Sequence, residues 1–259
     1  MPFTFSHPAA AAIVSPALRR GWLPLAPFVI GTMAPDFEYV WRLEPYALLG
    51  HSFPGVVTLT LPSAMAVVMW WEWRGRTALR QLLALPSESE RRDRSWWGGT
   101  PATLGTVVAV ALGVATHVGW DAFTHWDAWG ATLFPVLAEP VGRLPGVHWA
   151  NVLQHLSTLV GGVVVGRWLA RQMQRAGALP ALRARWRLRV FAALASLCVA
   201  TALWNAPRTG AMTDRWRPRI VVGRAVVGAL AGLAAGLLAY TAVSPRLALR
   251  RARGDRLAR

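Results

Sequence analysis

The sequence predicts an all-α, polytopic membrane protein of about five transmembrane helices, preceded by an N-terminal re-entrant or interfacial helical segment. Three observations carry this. Of 259 residues, 54% are hydrophobic and 15% charged, against about a quarter charged in a soluble domain. The net charge is nonetheless +16, every basic residue being arginine, and the mean hydropathy is +0.34. The apolar residues also gather in runs close to the roughly 20 needed to cross a bilayer. This apolar content excludes an acidic disordered chain. A single cysteine, Cys198, excludes a disulfide scaffold and a Cys-based zinc module.

Taken in order, Ser6 is placed to cap a short helix that starts near His7 and ends before Gly21. No basic n-region precedes it, so no cleavable signal peptide is expected. The stretch 23–34 is apolar but short, bounded by Arg19, Arg20 and Asp36 and broken by Pro24 and Pro27. It reads as half-buried or re-entrant. The five expected spans are 54–71, 102–120, 152–168, 190–206 and 225–243. Between them lie an Arg-rich loop (74–101) with a turn at Pro86–Ser87, a proline-rich loop (121–151) and a basic helical linker (170–188). Gly162 and Gly166 in the third span, and Gly228, Gly232 and Gly236 in the fifth, are spaced for close helix packing. Packing inside one chain is the simpler use of that face, and a homo-oligomer through span five is the alternative. The chain divides into residues 1–170, which carry the chemistry-bearing motifs, and residues 171–259, a basic linker and two supporting spans.

Nineteen of the 28 arginines fall after spans one, three and five, and eight fall in the intervening segments. The positive-inside rule then places the N-terminus outside and the C-terminus, with its Arg-rich tail, in the cytoplasm of a bacterial inner membrane. The basic segment 209–219 runs against that assignment. A pI near 11.8 could suggest nucleic acid, but these arginines flank apolar spans. The expected partners are the lipid bilayer and its anionic headgroups, and no nucleic acid. Tryptophans near span ends, among them Trp70, Trp97, Trp120 and Trp168, suit an interfacial belt.

The chemistry-bearing residues cluster on one side of this topology. His117, Asp121 and His125 stand at four-residue intervals, which keeps neighbours on one helix face. Over eight residues an ideal helix drifts by about 80°, so His117 and His125 diverge unless the helix ends or bends. Histidine with carboxylate suits zinc and other divalent first-row metals. Ionisable groups at the end of an apolar span mark a functional site by default. The bland alternative is a solvated helix end. Asp36, in Ala34-Pro35-Asp36, is a ligand or the cap of a following helix. His51, before span one, and His7, before the N-terminal helix, read as interfacial groups when taken singly. His155 lies one turn into span three and needs a partner there. Together His7, Asp36, His51, His117, Asp121, His125 and His155 suffice for one metal site, or for two sharing an aspartate. His148, in the proline-rich loop, is left out. Glu38 is the nearest spare carboxylate and the candidate general base, with Asp121 as the other catalytic acid group. No serine-hydrolase elbow, P-loop or Rossmann glycine pattern occurs.

The runs Met1–Ala10, Ile30-Gly-Thr-Met-Ala-Pro-Asp36-Phe, His51-Ser, His117 to Asp121-Ala-Phe-Thr-His125, and Gln154 resemble the bacterial membrane family called domain of unknown function 4184. The resemblance covers residues 1–170 in order and spacing, and most of the chain in span layout. That family brings no established activity. The chain is also distantly similar to inner-membrane metal-dependent hydrolases, through His7, Asp36, His51 and His117/Asp121. A looser likeness to helical zinc phospholipases C and nucleases rests on His-x-x-x-Asp alone and implies phosphoester substrates by analogy. Residues 171–259 show no ligand motif. The expected function is a metal-dependent hydrolase with an outward-facing His/Asp site holding a divalent metal, zinc first, and acting on phosphoesters or lipid headgroups. The alternative is a non-enzymatic multi-pass protein: a metal-binding transporter, an assembly factor or a structural factor. The few ionisable groups inside the spans count against a proton-coupled transporter.

The orientation has a direct check. A reporter active only outside the cytoplasm is expected to be active when fused after Gly142 and silent when fused after Gly177. The reverse pattern would move the site to the cytoplasmic face.

Overall fold

The computed structural model describes residues 4–18, 23–83, 100–144, 146–174, 181–208 and 217–257. Among them every regular element is helical. The helices are α1 (Ala9–Leu18), α2 (Leu25–Gly31), α3 (Phe37–Arg42), α4 (Phe53–Leu83), α5 (Thr100–Thr124), α6 (Trp129–Leu133), α7 (Trp149–Gln174), α8 (Ala181–Asn205) and α9 (Arg217–Leu257). Helix α4 runs to Leu83, into the expected loop 74–101; the rest of that loop through residue 99, with the turn at Pro86–Ser87, and residues 209–216 of the basic segment 209–219 lie outside the described residues.

Among the described residues four stretches are long and apolar enough to cross a membrane: Phe53–Leu83, Thr103–Thr124, Ala184–Asn205 and Pro218–Ser244. At most 33% of the apolar window in each is buried within the protein. The remaining apolar surface calls for a lipid solvent. These stretches contain or overlap four of the five expected spans. The expected span at 152–168 is helical, within α7, but does not join the four. Gln154, His155, Ser157 and Thr158 dilute the apolar character of its first turns. Helix α2 has seven residues, about 10 Å at 1.5 Å per residue. It is too short to cross, as its prolines and flanking charges imply.

The chain forms two compact units, one within Met1–Phe37, Leu48–Val68 and Glu88–Arg171, the other within Glu38–Ala47, Met69–Ser87 and Gln172–Arg259. The second thus takes in two short segments that precede residue 170.

In the first unit α2 lies against α5 at backbone contact. A Cβ on Gly31 would strike the Val110 carbonyl, and one on Gly113 would strike Phe28 O and Thr32 N. Around this crossing Ala34, Ala64, Val68, Val110 and Val114 form one buried cluster, with Ile30, Val56 and Val118 packed on it. Ala11, Phe28 and Ala109 form another. Helix α7 approaches the N-terminal segment in the same manner, because Gly161 faces the backbone of Ser6. Gly162 and Gly166, which the sequence pattern singles out, face open space instead.

In the second unit α8 and α9 pack antiparallel. Gly228 faces Thr201 and Asn205, Gly232 faces Thr201 and Leu197, and Gly236 faces Leu194. The glycine face of span five is thus occupied within the chain. Asn205 ends the pair by donating to the carbonyls of Leu43 (3.0 Å) and Arg224 (2.9 Å). Arg224 in turn grips Glu44 through two nitrogens at 2.9–3.1 Å.

The α2–α5 contact can be tested directly. Gly113→Ala is expected to destabilise the protein by about 1–3 kcal/mol through overpacking. Gly162→Ala, in open space, is expected to be neutral or to stabilise by up to about 1 kcal/mol through helix propensity. Unfolding in detergent, followed by circular dichroism, measures both.

Candidate metal centre

Four short stretches deliver five ionisable side chains to one place in the first unit. His117 and Asp121 project from one face of α5, four residues apart. His117 sits one turn beyond Gly113, so the α2–α5 contact brings the end of α2 within reach. Thr32 caps that end, and a terminal helix carbonyl has no partner within its own helix. The Thr32 carbonyl accepts a 2.8 Å hydrogen bond from Nδ1 of His117. A carbonyl can only accept, so Nδ1 carries a proton, which leaves Nε2 as the nitrogen available to a metal. Asp36 follows four residues later, closing the 3₁₀ turn Ala34–Asp36 in which Pro35 fixes the backbone. Its Oδ2 accepts from the Thr4 hydroxyl at 2.6 Å, which turns Oδ1 inward.

His51 comes from the loop before α4. Ser52 caps that helix by accepting from the Gly55 amide at 3.2 Å. A π-helical turn at Val56–Thr60 places the Thr60 hydroxyl to donate to Gly50 O at 3.0 Å, in a buried hydrogen bond. The loop is therefore tied on both sides of His51. Such π turns occur often at functional sites. His7 follows the turn Thr4–Ser6 and lies buried with its ring stacked on His117, 3.7 Å between centroids and 14° between planes. Burial, then the neighbouring His117, push its pKa down to about 4. Its imidazole is neutral at pH 7, the form that can bind a metal.

The distances form a pattern. His51 Nε2 lies 3.2 Å from His117 Nε2, 3.3 Å from Asp121 Oδ2 and 3.7 Å from Asp36 Oδ1. His117 Nε2 lies 3.3 Å from Asp121 Oδ2 and 3.5 Å from Asp36 Oδ1. Zinc binds nitrogen and carboxylate oxygen at about 2.0–2.2 Å in a tetrahedron, whose edges are then about 3.3–3.6 Å. Five edges among these four atoms run from 3.2 to 3.7 Å. His7 Nε2 stands beside the set, 3.7 Å from Asp121 Oδ1. His7 Nε2, Asp36 Oδ1 and Asp121 Oδ2 are buried without a hydrogen-bond partner. Buried polar atoms are costly when unsatisfied, and a cation satisfies carboxylate oxygens and imidazole lone pairs together. Two overlapping ligand groups, His7–Asp36–His117 and His51–His117–Asp121, have the spacing to hold a metal ion.

The remaining sequence-selected residues are in neither ligand group. Helix α5 ends at Thr124, and His125 just beyond it turns Nδ1 back to the Asp121 carbonyl at 2.8 Å and joins neither ligand group. His155 is exposed on α7 and joins neither ligand group. Glu38 meets Arg42 at 3.1 Å and joins neither ligand group. His148, left out on sequence grounds, stacks against Trp126 at 4.8 Å. Sequence reasoning missed Thr4 and Thr32, which orient Asp36 and His117. It also missed Gly31, Gly113 and Gly161, which admit the backbones that carry the ligands. The spacing Gly113, His117, Asp121 held a signal: three successive turns of one helix face, first small, then ligating.

A family model described as a domain of unknown function, DUF4184, matches residues 1–242. The chain belongs to that family. The match extends well past residue 170 and takes in α8 and most of the apolar part of α9. Comparison with the curated proteins and with the solved structures returns no match.

Metal content separates the ligands from their neighbours. Asp121→Ala and His117→Ala are expected to abolish binding of divalent metal. His125→Ala and His155→Ala are expected to retain it. Thr4→Val removes the hydrogen bond to Asp36 and is expected to weaken affinity about 10–100-fold. Elemental mass spectrometry of the detergent-purified variants, with and without zinc reloading, reads all five.

Proposed function

We propose that this protein is a metal-dependent membrane hydrolase whose centre is built by His7, Asp36, His51, His117 and Asp121, with zinc as the resident ion. The observation that supports it is the close approach of four lone-pair atoms, His51 and His117 Nε2 each lying within 3.2–3.7 Å of the other and of a carboxylate oxygen of Asp36 and of Asp121. Two carboxylates offset the charge of a divalent cation, and mixed imidazole and carboxylate donors suit zinc. A cation held there supplies Lewis acidity and lowers the pKa of water toward about 7. Asp36 is fixed by Thr4 and His117 by Thr32. Asp121 Oδ1 points away from the four-atom set toward His7, and this pair is placed to receive a proton. Phosphoesters are the substrate class, and the site faces out of the cytoplasm of a bacterial inner membrane. Glu38, the base expected from sequence, has Arg42 at its carboxylate and takes no part in this scheme.

One observation favours a second reading. Four protein donors are the full complement of a structural zinc site, whereas catalytic zinc keeps an open position. The metal would then be a structural bond among α2, α4 and α5.

Cobalt-loaded protein distinguishes the two. The hydrolase reading expects phosphate to alter the visible Co²⁺ spectrum toward higher coordination. It also expects turnover of bis(p-nitrophenyl) phosphate that falls at least about 10³-fold in Asp121→Ala and persists in Glu38→Gln. An unchanged spectrum with no turnover, and unfolding on chelation, would leave the structural metal.

A further inference from the structure

We infer that the ligand of this centre is a phosphate borne by a lipid, reaching His51 sideways from the membrane interface. This rests on the metal-centre reading and names its substrate class. The first support is depth. His51 lies two residues before Phe53, the first residue of one candidate span, and Asp121 lies three residues before Thr124, the last residue of another. Both spans end at the cluster, so the cluster sits where the apolar slab meets the headgroups. The second support is access. The side chains of His7, Asp36, His117 and Asp121 are at most 5% exposed, while His51 is 22% exposed. Of the five, His51 offers the open edge.

The third support is what surrounds that edge. Leu48 is 65% exposed, Leu49 53% and Phe53 83%. Near the other span end Trp126, Trp129 and Phe134 are about half exposed. Large apolar side chains at interfacial depth sit among acyl chains, with aromatic rings at headgroup level. A water-soluble phosphate gains nothing from these apolar side chains. A lipid presents its phosphate there while its chain lies along Leu48 and Phe53. Anionic oxygen is also what a divalent cation in this cage would take as an added ligand.

The test uses the full-length protein loaded with Co²⁺ in dodecyl maltoside, titrated with inorganic phosphate, butyl phosphate and dodecyl phosphate. The visible Co²⁺ spectrum reports occupancy of the metal itself. Dodecyl phosphate is expected to act at a concentration at least about tenfold below that of inorganic phosphate, with butyl phosphate between them. Phe53→Asn and Leu48→Asn are expected to erase most of that advantage while leaving the response to inorganic phosphate in place. Equal potency of the three compounds would overturn lipid entry and leave the metal centre standing. So would an advantage that persists in both variants, which would mark simple partition into the micelle. Failure of the wild-type protein to load Co²⁺ would overturn the metal centre and, with it, this inference.

Discussion

The close contact of α2 with α5 is the constraint on which the rest of the first unit depends. Gly31 and Gly113 meet the opposing backbone with no room for a Cβ. This brings a helix-terminal carbonyl, that of Thr32, to the ring nitrogen of His117. The bond fixes the tautomer and orientation of that imidazole. It also fixes where α2 stops, and so where Asp36 arrives four residues later. An additional methyl group at Gly113 would therefore do more than strain a packing contact. It would separate two ligands that are distant in sequence and joined through this crossing.

Gathering five ionisable groups beside an apolar slab is costly, and the arrangement shows how the cost is met. Outward-facing atoms find partners in the protein: Asp36 Oδ2 in Thr4, His117 Nδ1 in Thr32. Inward-facing Asp36 Oδ1, Asp121 Oδ2 and His7 Nε2 do not. A polar network designed only to satisfy itself would pair carboxylate oxygens with donors at hydrogen-bond length. Here the separations between opposed nitrogens and oxygens are 3.3–3.7 Å, too long for strong charge-assisted hydrogen bonds and suited to two atoms that share a third. This contrast between satisfied outer atoms and unsatisfied inner ones is the one a ligand cage would show.

Most of the architecture was legible in the sequence because lipid imposes a simple rule: long apolar runs must be helices. The four spans follow from it, as does the short, proline-bounded α2. Span three fell short because Gln154 to Thr158 place several polar groups in its first turns. His117 and Asp121 were legible as a four-residue pair on a span end. His7, Asp36 and His51 were legible only as members of a set, since each alone reads as a cap or an interfacial group. His155 was included because it stood at a similar depth, but depth does not say which way a helix faces. Thr4 and Thr32 were not legible at all. Their roles come from tertiary contacts across 32 and 85 residues, and a threonine near a helix end has many ordinary uses. Gly162 and Gly166 show the same limit from the other side: their spacing was right, but the backbone contact falls on Gly161.

The ligands differ in how they are held, and that difference has a mechanical consequence. His117 and Asp121 ride on a 25-residue helix, and Asp36 is clamped by a proline turn and a threonine. His7 is wedged beneath α7 by the Ser6–Gly161 contact. His51, like His7 before α1, stands outside a regular element, tied at its edges by the Ser52 cap and the Thr60 hydroxyl. It is also the most exposed of the five. A centre whose rigid ligands face inward and whose loop-borne ligand faces the apolar rim has a built-in side of least resistance. Displacing or swinging His51 would free one position in an otherwise closed set. Four protein donors and the needs of catalysis would then not conflict, because the most exposed donor is also the one whose movement would open a position.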